Sequence, residues 1–123
     1  MPQKMKTPLP TPFLGAWSIT EMGAWDETYI HEDDQGHFTF KKNGSGNFQF
    51  GLVRGDMDCR VERVNGADRV EFSWEGQDEL DRACGRGWAI IEDGALQGRI
   101  FFHLGEESSF VARKKSNSLH RKT

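Results

Sequence analysis

Met57-Asp58-Cys59-Arg60-Val61-Glu62, the turn Asn65-Gly66 and Val70-Glu71-Phe72-Ser73-Trp74-Glu75 decide the fold of this chain. On either side of the turn, apolar and polar residues alternate with a period of two. Met57, Cys59 and Val61 share one face, and Asp58, Arg60 and Glu62 the other. Val70, Phe72 and Trp74 alternate with Glu71, Ser73 and Glu75 in the same way. That period belongs to a strand with one buried face. Asn-Gly between such runs is the strongest short-range hairpin signal, because both residues tolerate positive φ. A lone hairpin is marginal in water, so its apolar face calls for further strands.

Those strands lie on both sides. Downstream, residues 76–84 are predicted to form a long acidic connection. Gly85 to Glu92 resumes a strand, with Trp88 and Ile90 opposite Gly87, Ala89 and Ile91. After Asp93-Gly94, Leu96, Gly98, Ile100 and Phe102 alternate with Gln97, Arg99, Phe101 and His103. Gly105-Glu106 turns the chain into a last strand from Glu107 to Arg113. Upstream, Arg54-Gly55 is predicted as a tight turn following Asn47 to Val53, with Phe48, Phe50 and Leu52 inward. His37 to Lys41 alternates around Phe38 and Phe40, ahead of the turn residues 42–46. Ala24 to Glu32 lacks alternation. Asp26 and Glu27 suit the first turn of a short helix there, with Trp25, Tyr29 and Ile30 on its inner face. Phe13 to Glu21 is a first strand carrying Phe13, Gly15, Trp17 and Ile19 on one face.

The fold class is therefore mainly β: an antiparallel up-and-down meander of about eight strands closed into a small barrel, with a short helix after the first strand. Closure is the economical way for a meander to remove its edges. A chain of 123 residues has room for one core. The expected divisions are a flexible arm over residues 1–12, the barrel over 13–113 and a basic flexible tail over 114–123. Pro2, Pro8, Pro10 and Pro12 all precede the first strand, so no proline removes a donor from the sheet. With 9 Phe and 4 Trp, the core is aromatic.

The net charge is −3, and the last ten residues hold Lys114, Lys115, Arg121 and Lys122 without an acid. Taking those four charges from −3 leaves −7 on the rest. An acidic body is a poor partner for nucleic acid. The first residues hold no apolar signal region, and no apolar run is long enough to span a membrane. The expected location is cytoplasmic, with Cys59 and Cys84 as reduced, buried, small hydrophobes.

Gly15-Ala16-Trp17 on the first strand, with Arg113 at the end of the last, resembles the signature of the calycin superfamily of lipocalins, fatty-acid-binding proteins and avidins. The resemblance implies a barrel in which Trp17 packs under the Arg113 guanidinium where first and last strands meet. The helix after the first strand resembles the lid of fatty-acid-binding proteins. The runs Glu71-Phe72-Ser73-Trp74-Glu75-Gly76, Asp78-Glu79, Gly85-Arg86-Gly87-Trp88 and residues 98–103 (Gly-Arg-Ile-Phe-Phe-His) resemble a group of small uncharacterised bacterial proteins. That likeness covers Trp17 to Arg113, and implies a bacterial origin without naming an activity.

No motif specifies a reaction. Asp58, Arg60 and Glu62, Glu71, Ser73 and Glu75, and Arg99 and His103 each share a strand face. Facing inward they would line a polar lumen; facing outward they are surface ion pairs. The consistent apolar sets favour the outward reading, although a ligand-holding lumen reverses the rule. His103 with Arg99 and Glu75 or Asp58 could perform acid–base chemistry. His31, His37, His103 and His120 show no metal-ligand spacing, the acidic run Glu75, Asp78, Glu79, Asp81 lacks an EF-hand pattern, and neither a metal nor a cofactor is expected. Trp25, Tyr29 and Ile30 form either a ligand-facing lid or a plug, the plug being favoured.

The leading function is a non-enzymatic barrel for a small apolar or aromatic molecule. Its candidate contacts are Trp17, Trp25, Tyr29, Trp74, Trp88, Arg99, His103 and Arg113. The alternatives are a packed module that binds a protein partner through its surface, and a small enzyme using His103. A cavity would favour the first, a filled core the second, and a cleft joining His103 to a carboxylate the third.

Overall fold

The structure, a computed structural model, describes residues 7–115. Asn65 and Gly66 take φ of 53° and 82°, the left-handed conformation their residue types permit. They join β4 (Val53–Val64) to β5 (Ala67–Asp78) in unbroken register. Around this hairpin lie β1 (Gly15–Met22), α1 (Glu27–Ile30), β2 (His37–Phe40), β3 (Ser45–Phe50), β6 (Asp81–Glu92), β7 (Ala95–Phe102) and β8 (Glu107–Lys114). Each strand pairs antiparallel with the next, and β8 returns to β1, so the eight strands close into a barrel. At the seam Trp17 opposes Lys114, Ser18 opposes Arg113 and Ile19 opposes Ala112, with a register shift before Glu21. Closure leaves no unpaired edge.

Two turns differ from their expected places. The β3–β4 turn is Gly51-Leu52, and Arg54-Gly55 continues β4. Gly55 faces inward; a Cβ there would meet the Phe48 ring at 2.5 Å and Trp74 at 2.9 Å. It is a packing glycine rather than a turn glycine. The expected connection over 76–84 is also strand. Gln77 pairs with Arg54 and Arg82, and Asp78 with Val53 and Asp81, so only Glu79-Leu80 turns. The polarity of this stretch reflects an outward-facing hairpin end, which alone looks like a loop.

The inward faces meet in an aromatic core. Phe38 is fully buried, with ring centroids 4.4 Å from Phe110, 5.5 Å from Phe48, and 6.3 Å from both Phe40 and Phe72. Ile19, Val53, Val70, Leu96 and Ile100 fill the space between rings. On β6 the inward positions are Gly87 and Ala89, both buried. A Cβ at Gly87 would collide with the Phe72 ring, so this wall is thin because its neighbour is large.

Both barrel ends are covered. At the lower end the 3₁₀ turn Thr11–Phe13 places Phe13 6.5 Å from Phe40, and Leu9 is buried beside it. At the upper end Asp26 caps α1 by accepting a hydrogen bond from the Tyr29 N–H at 3.0 Å. The cap seats Ile30 in the core and holds Trp25 5.1 Å from Phe50 and 6.1 Å from Phe102. The arm over residues 1–12 and the tail over 114–123 fall partly outside the described residues; of these, Lys114 closes β8.

Candidate functional site

Alternation sends a second set of side chains to the outer wall, and register lines them up. In one row Asp56 on β4 opposes Glu75 on β5, which opposes Cys84 on β6. His103, just past the end of β7, extends the row through a hydrogen bond from its backbone N–H to the Cys84 carbonyl at 2.8 Å. In the next row Asp58 opposes Ser73, Ser73 opposes Arg86, and Arg86 opposes Phe101. Together these rows line an open groove of about 830 Å³, floored by Trp74, Gly85 and Phe102. An adjoining concavity of about 650 Å³ shares Asp56, Glu75, Cys84 and His103 and reaches Gln77 and Arg82. Gly76 and Gly85 permit this curvature. A Cβ on either would collide with a neighbouring carbonyl, of Arg54 and Phe101 respectively. The Trp74 indole N–H donates to the Phe101 carbonyl at 3.2 Å and fixes the floor.

The ion pairs of the wall lie mostly outside the groove. Outside it, Arg69 pairs with Glu71 at 2.6 Å, Arg54 with Asp33 at 2.7 Å, Arg99 with Glu107 at 2.9 Å and Arg63 with Asp68 at 3.3 Å. At its lower edge Arg60 pairs with Asp58 at 3.4 Å. Within the groove, and among the described residues, Asp56, Glu75, Arg82 and Arg86 have no ion-pair partner within 4.0 Å. Asp56 and Glu75 stand directly opposite one another as like charges, an unfavourable cross-strand pair. The acids occupy β4 and β5; the guanidinium groups of Arg82 and Arg86 occupy β6. Lower on the wall, a hydrogen bond and repulsion from Glu71 hold the Glu62 carboxyl above its ordinary range. Hydrogen bonds from Glu62 and Arg69 hold Glu71 below it.

The eight candidate contacts do not converge. Trp17 sits at the lower end, its indole N–H donating to the Phe13 carbonyl at 2.9 Å. Trp25 and Tyr29 belong to the upper plug, stacked at 5.9 Å. Trp74 faces inward under the groove. Trp88 lies on the outer wall with the Arg69 guanidinium 5.3 Å above its ring, because glycine and alanine take the inward positions of β6. Arg99 is also outward, on Glu107. His103 lies beyond the last residue of β7, exposed in the groove wall. No hydrogen bond joins its imidazole to Glu75 among the described residues. Arg113 is exposed beside Ser18, and the cation over Trp17 is Lys114, with Nζ 4.6 Å from the ring centroid. The register at the seam puts Lys114, one residue later than Arg113, opposite Trp17.

Cys59 is buried, whereas Cys84 is exposed, contrary to its expected burial. It alternates with inward Gly85 on the hairpin end whose polarity resembles a loop. Asp56, Arg82, Cys84, Arg86 and Phe101 are the groove residues missed by sequence reasoning. Continuing the period-two pattern through residues 76–84 would have put Arg82, Cys84 and Arg86 on one face. His31 and His37 serve the turn before β2: His31 Nδ1 accepts from the Gly36 N–H at 2.9 Å, and His37 contacts the Gln35 carbonyl. Among the described residues, no group of three or more His, Cys, Asp or Glu side chains could hold a metal ion. His120 lies outside them. Among the same residues, no helix is long and apolar enough to cross a membrane.

The molecule is a closed, eight-stranded up-and-down β-barrel, plugged at both ends and grooved on its outer wall. This architecture is compatible with a calycin-like fold. No family model, curated protein or solved structure matches the chain.

Proposed function

We propose that this barrel is a non-enzymatic binding module that takes a small zwitterionic molecule, of the amino-acid or short-peptide class, in the groove on its outer wall. One observation carries the reading: Asp56, Glu75, Arg82 and Arg86 line the groove and its adjoining concavity, and among the described residues none of the four has an ion-pair partner within 4.0 Å. A ligand ammonium group would relieve the Asp56–Glu75 repulsion. A ligand carboxylate would meet Arg86 or Arg82, which present planar donor forks. Phe101 offers an apolar surface to the body of the ligand. The aromatic core supports an exterior site in place of the lumen, because Phe38, Phe50 and Phe110 occupy the space a lipocalin ligand would need.

The test is a thermal-shift panel of free amino acids and dipeptides, with fatty acids and indoles as the comparison set. A zwitterion at a hundredfold excess over its Kd should stabilise the fold by about 2.7 kcal/mol. Asp56→Asn and Arg86→Gln should each remove most of the shift. Stabilisation by fatty acids or indoles but not by zwitterions would overturn the reading, as would a shift that survives both substitutions.

A further inference from the structure

Above the groove's upper row, register aligns His37 on β2, Gln49 on β3, Arg54 on β4 and Gln77 on β5. With Asn47, which opposes Asp56, these side chains line a concavity of about 380 Å³. It meets the concavity beside the groove at Asp56, Gly76 and Gln77. Gln49 is only 8% exposed. Its Nε2 donates to Asp33 Oδ2 at 3.1 Å, and Arg54 donates to the same oxygen at 2.7 Å. A carboxylate only accepts, so this contact fixes which end of the Gln49 amide is nitrogen. Oε1 is thereby turned away from Asp33, and among the described residues no group donates a hydrogen bond to it. The other buried polar side chain, Ser108, uses its hydroxyl in both senses, accepting from the Ala24 N–H and donating to the Ser109 carbonyl. Gln49 thus presents a buried acceptor, held in a fixed orientation and unsatisfied by the protein, in the wall of a concavity. A buried acceptor left in that state is costly, and a donor brought by a ligand would remove the cost.

We propose that this concavity is the side-chain subsite of the groove and takes a carboxamide, so that the preferred ligand is a zwitterion with a side-chain amide, glutamine being the prototype. The proposal rests on the zwitterion reading of the groove. A ligand N–H would donate to Gln49 Oε1. The ligand carbonyl would accept from the amide of Gln77 or Asn47, or from the guanidinium hydrogens that Arg54 does not spend on Asp33. The reach agrees. Gln49 is a diagonal neighbour of Asp56, and diagonal neighbours on paired strands stand about 7–8 Å apart. A ligand whose ammonium sits at Asp56 and Glu75 can therefore extend a two-methylene side chain to Gln49. Charge selects the end group. Asp33 and Arg54 neutralise one another, and Asp56 faces the ligand ammonium. The amides of Gln49, Asn47 and Gln77 remain, and they suit a neutral group that both donates and accepts. A second charged end group would lose water there without gaining a partner of its own.

Thermal-shift titrations of the full chain with glutamine, methionine, glutamate and lysine give a dissociation constant for each. Methionine matches glutamine in length and lacks its amide. Glutamine should bind about tenfold tighter than methionine, the scale of one hydrogen bond to a buried acceptor, and tighter than glutamate or lysine. Gln49→Met should bring glutamine and methionine to parity. Should that variant fail to fold, Gln49→Asn, which withdraws the amide by one methylene, should narrow the gap in the same direction. The readout is a ratio of two ligands on one protein, so a general loss of stability from freeing Asp33 cancels. Equal binding of glutamine and methionine by the native protein, a preference for glutamate or lysine, or a glutamine preference that survives the Gln49 substitutions would overturn the proposal and leave the zwitterion reading standing. Absence of binding by every one of these amino acids would overturn both.

Discussion

Replacing Phe38 by alanine tests whether the interior is filled by the protein itself. Phe38 is 0% exposed and touches four other phenylalanine rings, the nearest at 4.4 Å. A buried Phe→Ala change costs about 3–5 kcal/mol, with the larger values where the surroundings cannot collapse. The rings here are held by eight hydrogen-bonded strands, so the cost should lie near 4 kcal/mol. An unfolding entropy of about 2.1 cal/mol/K per residue over 123 residues gives about 0.26 kcal/mol/K, hence a fall in Tm of about 15 °C. Urea and thermal unfolding followed by tryptophan fluorescence would measure both quantities, with an unchanged m-value confirming a two-state comparison. Phe38→Leu keeps most of the volume and should cost under about 1.5 kcal/mol, which guards against a variant that fails to fold. A loss below about 1.5 kcal/mol for Phe38→Ala would refute the reasoning, since it would mean that Phe38 borders empty space rather than packed rings.

At the barrel seam, Lys114→Ala should lower Tm more than Arg113→Ala, because only Lys114 lies over Trp17. An exposed cation–π contact contributes about 0.5–1 kcal/mol, or roughly 2–4 °C here, and equal losses in the two variants would argue against this contact. Burial raises the Tyr29 phenol above its ordinary value of 10.0, a hydrogen bond from the Leu52 N–H opposes the shift, and the charges of Asp78, Glu32 and Glu79 add to it. A raised folded-state pKa favours the neutral phenol, so its stabilising effect is complete below pH 10 and is lost as pH rises through the folded value. The difference in Tm between the native protein and Tyr29→Phe should therefore shift against the native protein between about pH 9 and pH 11. A difference that stays constant over that range would show that the phenol is not buried.

Period-two alternation makes the Met57–Glu75 hairpin, the aromatic inward set and the outward ionic faces legible in the chain itself. Asn65-Gly66 stands out because its turn demands residues that accept positive φ. Local pattern fails where packing decides. Gly55 reads as a turn residue, yet its glycine identity answers to Phe48 and Trp74, which come from other strands. Residues 76–84 read as a loop because both faces of a hairpin end are wetted, so the apolar signal disappears while the hydrogen-bonded ladder continues. The face of Trp88 is likewise hidden, since it follows from the room Phe72 needs at Gly87.

The groove is only half legible. Asp58, Ser73, Glu75 and His103 stand out as polar residues on strand faces, but not as neighbours of Cys84, Arg86 and Phe101. Their meeting depends on the register of β5 with β6 and of β6 with β7. Likewise, the glycine–tryptophan pattern near the first strand points to a barrel closed beside Trp17, while the register at the seam gives the cation to Lys114 instead of Arg113. The number of strands and their meander order can be read from the chain alone, because alternation and turn chemistry act between near neighbours. Which charges share a groove is settled by the folded barrel, because it depends on how separate strands align, and a slip of one residue moves every side chain to the other face.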